Sequence, residues 1–96
     1  MPGWRLSLRT AAAHVIRHLP PEIKRAVKAA LLQLLADPAS GETLHGELTG
    51  LWKYRVRRYR VVYKVDRKAR SVEIVAVGQR RSIYEEVVEL IRQQQK

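Results

Sequence analysis

The chain contains no cysteine, so disulfides, thiolate zinc sites and a cysteine nucleophile are all excluded. That absence fits a reducing cytosol, and a cytoplasmic protein is expected. Long apolar runs are missing too. The most apolar stretch, Ala26 to Ala36, is interrupted by Lys28 and Gln33 and is too short to span a bilayer. The N-terminus has no charged region followed by an apolar one, so no secretory signal is expected. Neither a Ser-His-Asp order nor a Gly-rich phosphate loop is present, which removes two common catalytic and nucleotide-binding motifs. Acids are scarce where bases crowd. Between Lys53 and Arg81 there are 11 Lys and Arg residues but only Asp66 and Glu73 opposing them.

What remains is a chain of 96 residues with an ordinary apolar content, enough for one core and a single domain over residues 1–96. Its formal net charge is +10, from 19 Lys and Arg. An excess of this size points to nucleic acid, an anionic membrane or an acidic protein. A membrane surface calls for a basic amphipathic helix, whereas these charges fall on strands. Nucleic acid or an acidic protein is the expected partner.

The stretch from Leu51 to Tyr63 organises the rest. Trp52, Tyr54 and Val56 alternate with Lys53, Arg55 and Arg57, the period of a strand with one buried and one exposed face. The alternation resumes with Tyr59, Val61, Tyr63 and Val65 against Arg60, Val62 and Lys64. With Arg57-Arg58 as a hairpin tip, Arg55 stands opposite Arg60. Facing like charges destabilise a strand pair by a few tenths of a kcal/mol, on the order of other cross-strand terms. Cations kept at such positions suggest an anionic ligand.

Around this hairpin the pattern predicts a short strand over 4–8 and a helix from Ala11 with Thr10 as N-cap. A second helix starts at Pro21 and is stopped by Asp37-Pro38. Residues 39–50 read as a surface connection tacked down by Leu44 and Leu48. Strands follow near 51–57, 59–65 and 72–77, the last buried on both faces because Val75, Ala76 and Val77 run on without a break. Ser82-Ile83-Tyr84-Glu85 matches a capping box opening a final helix, which frays into Gln93-Gln94-Gln95-Lys96. The fold class is α+β, in the order β-α-α-β-β-β-α. A small, mostly antiparallel sheet carries the N-terminal helical hairpin on one face, and a short helix ends the chain. The opposite face is expected to be open and cationic.

The chemistry then rests on Lys, Arg and Tyr. Alternating cations are by default a solvated face. Two features count against that here: the excess is unbalanced by acids, and it reappears at Arg80-Arg81, where the last strand gives way to the last helix. Tyr84, in the first turn of that helix, is either a packing residue with a wet hydroxyl or a phosphate-facing one. Tyr54, Tyr59, Tyr63 and Trp52 share the inward face by parity. His14 and His18 have a metal-compatible spacing, but Val15 stands where a zincin needs Glu, and only His45 remains as a third ligand. Glu85, Glu86 and Glu89 read as helix-surface charges. RNA offers a substrate that suits such a set, because its own 2′-OH can attack the adjacent phosphate. A protein need only supply a base, cations for the phosphorane and a donor for the leaving 5′-oxygen. Arg stabilises phosphate oxygens but is too weak an acid to shuttle protons. Lys or Tyr can do so where the site lowers its pKa.

Trp52-Lys53-Tyr54-Arg55-Val56, then Tyr59-Arg60-Val61-Val62-Tyr63, then Val77-Gly78-Gln79-Arg80-Arg81-Ser82-Ile83-Tyr84 together resemble the RelE/ParE toxin superfamily, most closely its RelE branch. The likeness runs from the helical hairpin to the last helix. It implies a toxin of a type II toxin–antitoxin pair, an mRNA interferase that cuts mRNA in the ribosomal A site without a metal or other cofactor. The positions matching the branch's catalytic set are Lys53, Arg55, Arg60, Arg80 and Tyr84. By this likeness Lys53 or Tyr84 is the base, and Arg60 and Arg80 stabilise the transition state. Arg57, Arg58, Lys64 and Arg81 are the further RNA- and ribosome-binding candidates. The resemblance also implies a cognate antitoxin covering the basic face, clamping or displacing the last helix, and a toxin–antitoxin complex that binds operator DNA. Two positions depart from the pattern. Arg55 replaces the second Lys of a Lys-x-Lys pair and is a poor proton donor. Arg57-Arg58 replaces a Gly-Asp hairpin tip, so the tip is expected to be wider or strained. The rivals are a ParE-like inhibitor of DNA gyrase and a non-catalytic RNA- or ribosome-binding module, for which phosphate contacts suffice.

Overall fold

The computed structural model of the protein describes residues 3–94. Strand β1 (Arg5–Leu8) leads into helices α1 (Thr10–Arg17) and α2 (Pro21–Ala36). A 3-10 turn at Pro38–Ser40, strand β2 (Glu42–Thr43) and a second 3-10 turn at Gly46–Leu48 follow. Strands β3 (Leu51–Val56), β4 (Tyr59–Asp66) and β5 (Ser71–Gly78) and helix α3 (Ser82–Gln94) complete the chain. The sheet order is β1-β5-β4-β3-β2, antiparallel except for the β1–β5 pair. The predicted α+β class holds, with a fifth strand, β2, inside the stretch expected to be only a connection.

The helical hairpin forms as its stripe requires. Val27, Ala30, Leu31 and Leu34 of α2 and Ala12 and Ile16 of α1 are buried against Val56, Val61, Tyr63, Val72, Ile74 and Val77 of the sheet. Pro21 is the first residue of α2, where a missing N–H costs nothing. Two helix starts differ by one residue from the expectation. Arg9, not Thr10, is the N-cap of α1, because its amide is already committed to the Ile74 carbonyl of β5 at 3.0 Å. Ser82 lies inside α3 as its first residue, one position later in the helix than a capping-box serine. Gln93 and Gln94 are still helical, and the remaining two residues of the expected frayed end, Gln95 and Lys96, lie outside the described residues.

The opposite face of the sheet is only half open. Helix α3 lies across β5 and β4, where Ile83 and Val87 meet Val62, Val75, Ala76 and Leu51. A β-bulge accommodates this. Val62 pairs with Ala76 but Tyr63 pairs with Ile74, leaving Val75 as the extra residue. Val75 and Ala76 therefore both face α3, while Ile74 and Val77 both face the hairpin. The uninterrupted apolar run in β5 thus reflects burial on both faces, as read from sequence, plus a change of parity that periodicity alone does not reveal.

The β3–β4 hairpin has the expected register, with Arg55 opposite Arg60 and Val56 opposite Tyr59. Its tip is a two-residue turn with Arg57 at φ 55°. It is strained and not wider, since L-residues other than Gly disfavour that region by roughly 1–2 kcal/mol.

A candidate phosphate-binding cleft

Period two puts Leu51, Lys53 and Arg55 of β3 on the face opposite the helical hairpin, with Arg60 and Val62 of β4 beside them. Leu51 and Val62 are roofed by α3, which ends short of the cations. The uncovered remainder is a cleft of about 310 Å³ lined by Glu42, Lys53, Tyr54, Arg55, Arg60, Arg81 and Tyr84. Four cations converge there against one carboxylate.

The Arg55–Arg60 repulsion is relieved by separate anchors. Arg55 donates from Nε to the Arg57 carbonyl at 3.1 Å, and Arg60 donates to the Gln79 carbonyl at 2.6 Å. The second bond fixes the Arg60 guanidinium beside the segment that carries Arg81. Glycine at 78 lets that segment close on the sheet, because a Cβ there would come within 2.9 Å of the Ile83 side chain. The first turn of α3 can therefore lie directly on β5, which carries Tyr84 to the cleft edge.

On the other wall β2 presents Glu42 directly opposite Lys53. Its position depends on Tyr63, which is fully buried and stacked on Trp52 with ring centroids 6.1 Å apart. The Tyr63 hydroxyl donates to the Pro38 carbonyl at 2.8 Å and accepts from the Gly41 amide at 3.1 Å. Burial pushes the Tyr63 phenol above its ordinary pKa, opposed in part by the Gly41 hydrogen bond. Gly41 has no room for a side chain, since a Cβ would run into the Lys53 carbonyl and the Tyr63 hydroxyl.

Of the five residues matched to the catalytic set, the cleft gathers Lys53, Arg55, Arg60 and Tyr84 but not Arg80. The Arg80 carbonyl accepts from the Ile83 amide and that of Arg81 from the Tyr84 amide, each at 3.0 Å. Residue 80 thus follows Ile83 toward a groove with Val15, Tyr59 and Glu86, while Arg81 follows Tyr84 into the cleft. A spacing of four from Tyr84 favours Arg80 only if the helix already includes it, and the helix begins at Ser82. Arg57 and Arg58 line a different groove with Pro20, Ile23, Tyr59 and Gln79. Lys64 is exposed outside the cleft lining. Tyr84 is half-buried, packs on the α3 side of the sheet and lines the cleft. Tyr54, expected inside, is half-buried and shares the cleft wall. Glu42 was missed because two residues of strand leave no periodic signal. The His14 and His18 rings lie 4.4 Å apart and tilted by 44°, and among the described residues no three metal-ligating side chains are grouped.

Three comparisons bear on this arrangement. The family model described as "ParE toxin of type II toxin-antitoxin system, parDE" matches residues 6–84. No curated protein matches the chain in sequence. Among solved structures, the RelBE2 toxin–antitoxin complex of Mycobacterium tuberculosis is 30% identical with TM-score 0.75, covering 82% of this chain and 100% of that one. The isolated E. coli RelE toxin is 27% identical with TM-score 0.72, covering 92% and 98%. An arginine-to-alanine mutant of E. coli RelE in the free state is 25% identical with TM-score 0.77, covering 94% and 99%. With its family match spanning both the hairpin and the cleft, and its RelE-like structural matches, this chain belongs to the RelE/ParE superfamily of type II toxin–antitoxin toxins.

Proposed function

We propose that the protein is a metal-independent, ribosome-dependent endoribonuclease that cuts mRNA in the A site and so inhibits translation in the cytoplasm. The observation that carries this reading is the convergence of Lys53, Arg55, Arg60, Arg81 and Tyr84 on one cleft with Glu42. In the reaction the 2′-oxygen of one nucleotide loses its proton and bonds to the adjacent phosphorus. The bond from phosphorus to the 5′-oxygen breaks, and that oxygen is protonated, leaving a 2′,3′-cyclic phosphate and a 5′-hydroxyl. Arg60, pre-oriented by the Gln79 carbonyl, and Arg81 hold the non-bridging oxygens as charge builds there. Four cleft groups can carry a proton: Lys53, Tyr54, Tyr84 and Glu42. Arg55 adds charge. Arg80, assigned by likeness to the transition state, gives that role to Arg81 and joins Arg57, Arg58 and Lys64 as an exposed cation suited to phosphate contacts outside the cleft.

The M. tuberculosis relative is a toxin–antitoxin complex. By extension, a cognate antitoxin covers the basic face here, and the pair binds operator DNA. A second reading is favoured by the ParE description of the matching family: inhibition of DNA gyrase, with the same face serving as a protein-docking surface.

Programmed ribosomes with mapped mRNA ends separate the two. Arg81→Ala is expected to slow single-turnover cleavage by roughly 10²–10³-fold, the usual loss of one transition-state donor, and Tyr84→Phe and Glu42→Gln report on proton transfer. Arg80→Ala should retain most of the rate. A dead Arg80→Ala beside an active Arg81→Ala would reverse the assignment. Intact mRNA together with inhibited supercoiling would establish the gyrase reading instead.

A further inference from the structure

Glu42 is the one carboxylate among the described residues that line the cleft. It is exposed and takes part in none of the ion pairs among the described residues. No cation within ion-pair distance holds the carboxylate, so the backbone of β2 has to place it. That strand is a poor anchor by itself. It consists of Glu42 and Thr43 alone and lies at the edge of the sheet, paired only with β3. A two-residue edge strand opens readily unless its flanks are tied.

Two hydrogen bonds tie it. Downstream, the Leu44 amide donates to the Leu51 carbonyl at 2.9 Å, an ordinary backbone link to the neighbouring strand. Upstream, the Gly41 amide donates to the Tyr63 hydroxyl, a buried side chain from β4 on the far side of β3. The Tyr63 oxygen cannot follow a moving loop. Its ring is stacked on Trp52, and the hydroxyl also donates to the Pro38 carbonyl. Glu42 is the very next residue after Gly41. It stands directly opposite Lys53, where paired residues turn their side chains to the same face.

We infer that Tyr63 is a positioning residue for cleavage, acting through Glu42: its hydroxyl sets where the Glu42 carboxylate stands beside Lys53 in the cleft. The inference rests on the endoribonuclease reading above and adds to it a residue that never touches RNA. Tyr63 is fully buried, so any influence on rate passes through what it holds. Lys53, Arg55 and Arg60 sit on long strands whose ladder does not use the hydroxyl. Arg81 and Tyr84 come from the wall formed by α3 and the bend before it. Of the charged cleft residues, Glu42 alone follows directly on a residue bonded to the phenol.

A double-mutant cycle tests this. Single-turnover cleavage on programmed ribosomes is measured for wild type, Tyr63→Phe, Glu42→Gln and the double variant, at a temperature where circular dichroism shows each folded. Tyr63→Phe is expected to slow the cleavage step by roughly 10–10²-fold, the scale for displacing a reacting group by about 1 Å. The toxin concentration giving half-maximal rate should change by less than about threefold, because substrate binding is not what is lost. In the Glu42→Gln background the same substitution should slow cleavage by less than about twofold. Ile74→Val, which trims the core on the hairpin side of the sheet, controls for lost stability and should cleave at the wild-type rate. Glu42→Asp keeps the carboxylate but draws it back by one methylene, and should lose at least about tenfold. Equal losses from Tyr63→Phe with and without Glu42 would overturn the inference and leave the enzymatic reading standing. So would a folded Tyr63→Phe that cleaves at the wild-type rate. A wild-type rate for Glu42→Asp overturns it whether or not Tyr63→Phe folds. Intact mRNA with the wild-type protein would remove the endoribonuclease reading, and this inference with it.

Discussion

Replacing Tyr63 by Phe removes one oxygen from the interior and tests how the cleft wall is supported. The hydroxyl makes two hydrogen bonds, to the Pro38 carbonyl and from the Gly41 amide. Each contributes about 0.5–1.5 kcal/mol net, so the pair contributes about 1–3 kcal/mol. The upper part of that range is expected, because Pro38 is buried and its carbonyl loses its partner. For a domain of this length the corresponding fall in Tm is roughly 8–20 °C. Urea unfolding at pH 7.5 should show a lower midpoint with an unchanged m value. The pH dependence gives a second, independent sign. Burial raises the Tyr63 pKa in the folded state, so the unfolded phenol ionises first as pH rises past about 10. The neutral form's contribution is complete below that pH and is lost as pH rises through the folded-state value. The stability gap between wild type and Tyr63→Phe should therefore narrow above pH 10. A gap under about 0.5 kcal/mol at neutral pH, or one that stays constant into the alkaline range, would refute this account of Tyr63.

Two further substitutions address neighbouring features. Gly41→Ala pushes a methyl into the Lys53 carbonyl and the Tyr63 hydroxyl; neither yields easily, so a loss of roughly 1–3 kcal/mol is expected by urea denaturation. On the proposed endoribonuclease reading, the same variant should displace Glu42 and slow cleavage on programmed ribosomes. Arg57→Gly relieves a positive φ and should raise stability by about 1 kcal/mol, seen as a higher urea midpoint.

Much of the site was legible because strand periodicity is unambiguous over Leu51 to Val65. It places Lys53, Arg55 and Arg60 on one face, and the two-residue tip fixes Arg55 opposite Arg60. What escaped the sequence depends on local departures from period. The Val75 bulge changes parity in the middle of an apolar run, where every residue looks alike. Strand β2 is too short to alternate, so Glu42 read as loop. Arg80 and Arg81 differ by a single position in a bend that is neither strand nor helix, and only the turn hydrogen bonds decide which one follows Tyr84. The amphipathic pattern of α3 announced a buried face but not which half of the sheet it would cover.

The parallel pairing of β1 with β5 also sets an order of assembly. Arg5 pairs with Ser71 and Leu8 with Ile74, so β1 acquires its partner only once the residues up to Ile74 have been made. Contacts so distant in sequence form late and slowly. The cleft draws on residues from Glu42 to Tyr84 and is likewise among the last parts to be completed. A nascent chain of this protein therefore has neither its β1–β5 pairing nor a finished cleft until the residues up to Tyr84 have been made.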